Sequence, residues 1–294
     1  MRINQNFMTL TRIFLARAIM LSLIVFVLSV FAFAETIQIK CSPPVAGYEK
    51  TYYSHASSKW KNSTSEKITV NGEDAFCIQA GYGISGITAD GGSTNLDYVT
   101  EAHNSNSLQT KIAFLGYYNT ERTIKDYMFT QMMIWQSLDD YPTSGNSTVK
   151  FTNENTLAEY TTWKSEMTKR LNAWNTLPDF GVVKVKSGVA TTVIDKNNVL
   201  KEYGDFTYNK DGIQITHVKG HNTLLVQASN SKAGNVDMSQ DDLVKYSMHD
   251  KTGYVYKSPN NQDLAVFGSI TPVKGFNLHV EVEQLGSLKI VKTN

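Results

Sequence analysis

Cysteine is nearly absent from this chain: its 294 residues hold two, Cys41 and Cys77. That excludes a disulfide scaffold and a multi-cysteine zinc site. An excess of charge of one sign is lacking too. With 28 basic and 27 acidic residues, nothing points to nucleic acid or an anionic membrane surface as a partner. Charged residues make up 19% of the chain, below the ~25% of an average soluble domain, whereas 15 Tyr and 13 Phe give a large aromatic content. Disorder, collagen and coiled coil are excluded on that basis. The length allows one large globular unit or two ordinary domains.

The N-terminus carries three arginines, Arg2, Arg12 and Arg17, before an apolar run from Ala18 to Ala34 that closes Ala32-Phe33-Ala34. A positive start, an apolar middle and a small-x-small exit describe a secretory signal peptide over residues 1–34. The bland alternative is a retained anchor, since the run is near the lower length limit of a spanning helix. Glu35 opens an ordinary polar sequence and favours cleavage after Ala34. Lys40, directly before Cys41, argues against a lipoprotein signal. Cleavage removes the three arginines and takes the formal charge from +1 to about −2. The mature chain is expected outside the cytoplasmic membrane and free of it.

The patterning predicts an α+β chain: a β-sandwich or barrel-like part with a helical insertion, then a mainly β region. Residues 36–82 read as strands, with Asn71-Gly72 as a hairpin turn and Ala75-Phe-Cys-Ile-Gln as the strand after it. Residues 83–107, rich in Gly, Ser, Thr and Asn, are expected to form a long irregular connection. From Ser107 to about Leu177 the period becomes helical. Leu108, Ile112, Phe114 and Leu115 make one stripe, Tyr127, Ile134 and Trp135 join a second, and Leu157, Tyr160, Trp163, Met167, Leu171 and Trp174 make a third. Thr123 with Asp126 reads as a capping box. Beyond Pro178, short strands at 181–186, 191–194, 212–216, 222–227, 264–267 and 276–283 suggest a sandwich or barrel. Residues 286–294 begin another alternating strand.

Most motifs that carry chemistry elsewhere fall away. Gly81-x-Gly83-x-x-Gly86 follows a strand, but loop residues occupy the place where a dinucleotide site needs a helix. Asn62-Ser-Thr and Asn146-Ser-Thr are glycosylation sequons, meaningful only in a eukaryotic secretory pathway. His217 and His221 straddle a glycine turn, and the other histidines form no short metal spacing. Neither a cofactor nor a metal is expected.

Cys77 stands between Phe76 and Ile78. It reads either as a small core residue, as half of a Cys41–Cys77 disulfide, or, by alternation, as a residue of a half-buried strand facing away from both neighbours. Gln131 is the other oddity. Helical geometry sets it on the apolar face with Tyr127, Met128, Ile134 and Trp135. Burying its amide without partners would cost ~1–3 kcal/mol. A backbone hydrogen bond is the ordinary solution. Conversion of the amide into an acyl group on a thiol is the other.

Phe76-Cys77-Ile78-Gln79 on a strand, followed some fifty residues later by Thr130-Gln131-x-x-Ile134-Trp135 on a helix, resembles the thioester domain of Gram-positive surface adhesins. The resemblance covers residues 35–180 well and extends more loosely through the β-rich region 181–285. It implies that Cys77 supplies the sulfur and Gln131 the acyl carbon of an internal thioester, with Phe76, Ile78, Tyr127, Thr130, Ile134 and Trp135 forming the motifs and shielding the bond. Met133 departs from the family pattern, which has Ala there. Gly286-Ser-Leu-Lys-Ile-Val-Lys looks like the first strand of an isopeptide-forming Ig-like repeat, which would make Lys289 or Lys292 its cross-linking lysine.

The resemblance implies a secreted, wall-displayed adhesin, a monomeric stalk tip whose thioester is opened once by an amine of a host or matrix protein. Such a protein is a covalent binder and not a turnover enzyme. His103 and Asp126 are the candidates for an assisting base. Two rivals stand beside this reading. One is a secreted cysteine hydrolase or transglutaminase-like enzyme, which would need a histidine beside Cys77. The other is a non-covalent β-rich adhesin stapled by Cys41–Cys77.

Overall fold

The structure is a computed structural model and describes residues 34–55, 57–79, 81–103, 107–138, 148–239, 252–268 and 272–284, with Leu243, Lys245, Ile270 and Gly286. The expected signal peptide, apart from Ala34, and the lysines Lys289 and Lys292 lie outside the described residues.

Alternation shapes the first strand. In β1 (Ala34–Cys41), Ile37, Ile39 and Cys41 are buried while Thr36, Gln38 and Lys40 face solvent. The hairpin β2 (Lys50–Ser54) and β3 (Lys59–Ser63) follows, then β4 (Ile68–Val70) and β5 (Glu73–Cys77). Asn71 and Gly72 join the last two with φ of 50° and 84°, the pair of positive values that a type I′ turn needs. Next comes β6 (Gly92–His103), twelve residues of strand where an irregular connection was expected. Its polar residues misled: Leu96 and Tyr98 point inward, the alternating residues face solvent, and both edges are paired, to β1 and to β14 (Gly253–Lys257).

The helical insertion has three helices. α1 (Leu108–Ala113) widens into a π-type turn at Phe114–Tyr118, all of it buried. Ile112, Phe114 and Leu115 are core as the stripe predicts, but Leu108 is 49% exposed, because it stands in the opening turn on the solvent side. α2 (Ile124–Gln136) starts with the expected capping box and is buried on every side from Tyr127 to Ile134, as befits a helix at the centre of a core. After β7 (Lys150–Phe151), α3 (Glu154–Asn172) lays Tyr160 and Met167 against that core.

The remaining strands are β8 (Val182–Lys186), β9 (Ala190–Ile194), β10 (Phe206–Lys210), β11 (Ile213–His217), β12 (Thr223–Ala228), β13 (Gly234–Ser239), β14, β15 (Leu264–Val266) and β16 (Asn277–Glu283). Two sheets, β10-β11-β12-β9 and β13-β16-β8, enclose a core of Ile213, Ile215, Leu224, Val226, Val236, Leu278 and Val280. β14 and β15 leave this sandwich and return to the first strands. They complete a closed barrel in the order β1-β4-β5-β15-β14-β6. Lys245, fully buried, ties the units together: its Nζ donates to the carbonyls of Ala173, Trp174 and Thr176 at 2.8, 3.1 and 3.1 Å, just past the end of α3.

β5 is therefore covered on both faces. Ala75 and Cys77 point into the barrel, and Phe76 points out into the helical core. Cys77 does face away from Phe76, as alternation predicts, and from Ala75 to Cys77 both faces of the strand are buried, because the helices cover its outer side.

Candidate functional site

The end of β5 meets the middle of α2. Cys77 and Gln131 are 3% and 4% exposed. The Cys77 N–H donates to Gln131 Oε1 at 2.8 Å, and Gln131 Nε2 donates to the Cys77 carbonyl at 3.0 Å. The amide is thus held edge to edge against the peptide of the residue whose thiol would attack it. The reverse orientation would set N–H against N–H and oxygen against oxygen, so the hydrogen bonds fix which atom is which. Burial pushes the Cys77 thiol far above its ordinary range.

Neighbouring side chains lock the two elements together. Phe76 stacks on Tyr127 with centroids 4.8 Å apart and planes 18° apart. The Tyr127 hydroxyl donates to the Ala75 carbonyl at 2.6 Å and accepts from the Ile68 N–H at 3.0 Å, bridging β4 and β5 from α2. The Ile78 N–H donates to the Asp263 carbonyl at 3.0 Å. Thr130 is fully buried, and Ile134 packs in the helical core. Trp135 is partly buried and touches both the helical core and the barrel.

A cavity of about 260 Å³ opens on this pair. Cys77, Gln131 and Trp135 form part of its wall, together with Cys41, Lys50 and Glu66. The loop that carries Gly81, Gly83 and Ile84 forms its rim. Gly81 has φ of 85°, and a Cβ there would strike the Tyr53 carbonyl. Gly81 of the dinucleotide-like motif therefore serves a close backbone approach, and no helix follows the motif.

Among solved structures, the chain resembles the thioester domain of the Staphylococcus aureus TIE protein, with a TM-score of 0.51 and 22% identity, over 84% of this chain and 100% of that one. The chain has a thioester-domain fold. No protein-family model matches it, and no curated protein sequence does.

Within this thioester-domain fold, an attack of Cys77 Sγ on Gln131 Cδ would have a defined electrostatic setting. Charge developing on Oε1 would meet a hydrogen-bond donor already in place, the Cys77 N–H, as an oxyanion hole requires. The amide nitrogen, which would leave, is held by the Cys77 carbonyl. Strand and helix fix the two groups, which permits effective molarities of ~10⁵–10⁸ M.

The structure brings together the motif residues but not the expected bases. His103 Nε2 lies 3.1 Å from Thr110 Oγ1 at the far end of β6, outside the cavity wall, and burial lowers its pKa. Asp126 is engaged in the cap: its Oδ2 accepts from Thr123 N at 3.0 Å, Thr123 Oγ1 at 2.8 Å and Thr120 Oγ1 at 3.1 Å. Among the described residues, no histidine lines the cavity; His55 stands behind its rim, stacked on Tyr82 with centroids 4.6 Å apart. Met133 is buried in the helical core and does not line the cavity.

Cys41 and Cys77 are both free thiols, so the disulfide rival is not what the structure holds. The reason is topological: β4 lies between β1 and β5. Two strand spacings put residues on those strands ~9–10 Å apart, beyond disulfide reach. Burial, with the Glu66 charge adding to it, pushes the Cys41 thiol up to about 11.

Lys50 and Glu66 are the charged cavity residues, and the sequence reading did not single them out. A lysine in a short strand reads as solvent-facing. The faint signal was that Lys50 and Tyr52 share one face of β2, and both line the cavity.

Proposed function

We propose that this chain is a covalent adhesin module in which Cys77 and Gln131 form an internal thioester with loss of ammonia. An amine on a partner then opens it and inherits the Gln131 acyl group as an amide. The observation that carries this reading is the double hydrogen bond that clamps the Gln131 carboxamide to the Cys77 peptide inside a cavity open to a ligand. A carboxamide is otherwise a poor acyl donor in water. Burial by Phe76, Tyr127 and Trp135 protects the product from hydrolysis.

Each molecule acts once, since the acyl group stays on its target. The amine belongs, in this reading, to a lysine of a host or matrix protein. The N-terminal sequence supports secretion and display at the cell surface. A fluorescent primary amine such as dansylcadaverine tests the reading: it should label the wild type at Gln131, as mapped by peptide mass, and leave Cys77→Ala unlabelled. Equal labelling of both proteins, or labelling at another residue, contradicts it.

A further inference from the structure

Both steps of such chemistry must move a proton. The Cys77 thiol has to lose one as its sulfur bonds to Gln131 Cδ, and the departing nitrogen has to gain one. Later the incoming amine loses a proton and Sγ regains it. The buried thiol does not ionise by itself at neutral pH, since burial disfavours its thiolate. Neither His103 nor Asp126 reaches the cavity.

Lys50 does. It lines the same cavity as Cys77 and Gln131, with Nζ 5.2 Å from the centre of the Trp135 ring. Nζ donates to the Thr64 carbonyl and, at 3.3 Å, to Ser65 Oγ. Ser65 Oγ itself donates to the Tyr48 carbonyl at 2.5 Å, so it meets Lys50 as an acceptor. Two acceptors match the two N–H bonds of a neutral amine and leave its lone pair free. The environment moves the amine toward that form: burial lowers the Lys50 pKa to about 8, so the neutral amine prevails above that pH, with a Cys77 thiolate and the Glu66 carboxylate acting against the shift. Glu66 is in turn raised by its own burial, with Lys50 working against that rise.

We propose that Lys50 is the proton carrier of this site, and the proposal rests on the thioester reading above. In formation, Nζ takes the thiol proton as the S–Cδ bond forms, and returns it to Nε2 as the Cδ–Nε2 bond breaks and ammonia leaves. In capture, Nζ takes a proton from the attacking amine as the new C–N bond forms, and passes it to Sγ as the C–S bond breaks. Lys50 ends each step unchanged, and no oxidant or reductant is needed.

The experiment compares wild type with Lys50→Met and Lys50→Arg. Intact mass follows ammonia loss after refolding, and methylamine opening is followed from pH 6.5 to 9.5, corrected for methylamine ionisation. General acid–base assistance of this kind is worth ~10²–10⁴-fold. Formation should slow by ~100-fold or more in both variants, and the inflection near pH 8 expected of wild-type opening should be lost from their profiles. Arginine should not rescue, because it keeps the charge but cannot accept a proton. Should Lys50→Met fail to fold, Lys50→Arg and the wild-type profile decide. Wild-type rates and inflection in the variants, or full rescue by arginine, overturn the proposal. So does a Lys50–Gln131 amide with both thiols free. Failure of the underlying reading looks different: wild type itself never loses ammonia.

Discussion

The Gln131 carboxamide lies edge to edge with the Cys77 peptide, accepting from its N–H at 2.8 Å and donating to its carbonyl at 3.0 Å across a separation of 54 residues. Two hydrogen bonds satisfy a polar group that a buried helix would otherwise exclude. The same two bonds hold the acyl carbon beside the only residue whose side chain is asked to attack it. Stability and reactivity therefore rest on one contact between the barrel and the helical core.

A covalent bond between these residues would also be a staple. Closing a loop of 54 residues removes chain entropy worth about 4 kcal/mol on the loop-closure scale. Opening the bond with methylamine should lower unfolding stability by that amount without any mutation. Denaturant unfolding before and after treatment measures it, and an unchanged midpoint speaks against a cross-link.

Tyr127→Phe keeps the stack on Phe76 but removes the hydroxyl that bridges Ala75 and Ile68. Two buried backbone groups lose a partner, so stability should fall by about 1–3 kcal/mol. Ammonia loss after refolding should slow as well, because β5 is held less firmly against α2. Unfolding curves and mass time courses report the two effects separately.

Thr130→Val should have the opposite sign. Thr130 Oγ1 is buried without a hydrogen-bond partner among the described residues, packed over Gly116. Replacing the unsatisfied hydroxyl by a methyl group should raise stability by up to ~1 kcal/mol. A loss of stability would show that the hydroxyl does have a partner.

Lys50 gives a pH signature. Its folded pKa is lowered from 10.5 to about 8. Below about 8 the amine is charged in both states, and the cost of burying it is fully present. Above about 8 the folded amine is neutral while the unfolded one still binds a proton, so stability rises with pH up to about 10.5. Lys245, also lowered to about 8 by burial, acts in the same direction. Cys41, raised from 9.0 to about 11, works against both only above pH 9. Stability should therefore climb between pH 8 and 9, and Lys50→Met should show a smaller climb. An identical climb in the variant removes Lys50 from the account.

Much of this was legible in the chain. Alternation in β1, β11, β12 and β16 set their faces, and the Asn71-Gly72 turn fixed the hairpin that presents Cys77. The spacing of Gln131 on α2 marked it as a polar group in an apolar stripe. What was hidden depends on distant pairing. β6 looks like loop because its outward residues include Ser93, Asn95 and Asp97, and strands from either side make it a strand. The return of β14 and β15 to close the barrel leaves no local trace. Lys50 is half-buried, its N–H groups received by Thr64 and Ser65 from another segment.

Intact mass with a thiol count, before and after methylamine, tests the Cys77–Gln131 bond most directly. Pairing the two readouts matters, because a Lys50–Gln131 amide would lose the same ammonia but leave two thiols. The account predicts a mass one ammonia below that of the sequence, with one titratable thiol, Cys41, in denaturant. Methylamine should add its own mass once and release the second thiol. A full sequence mass with two thiols and no methylamine adduct would contradict it.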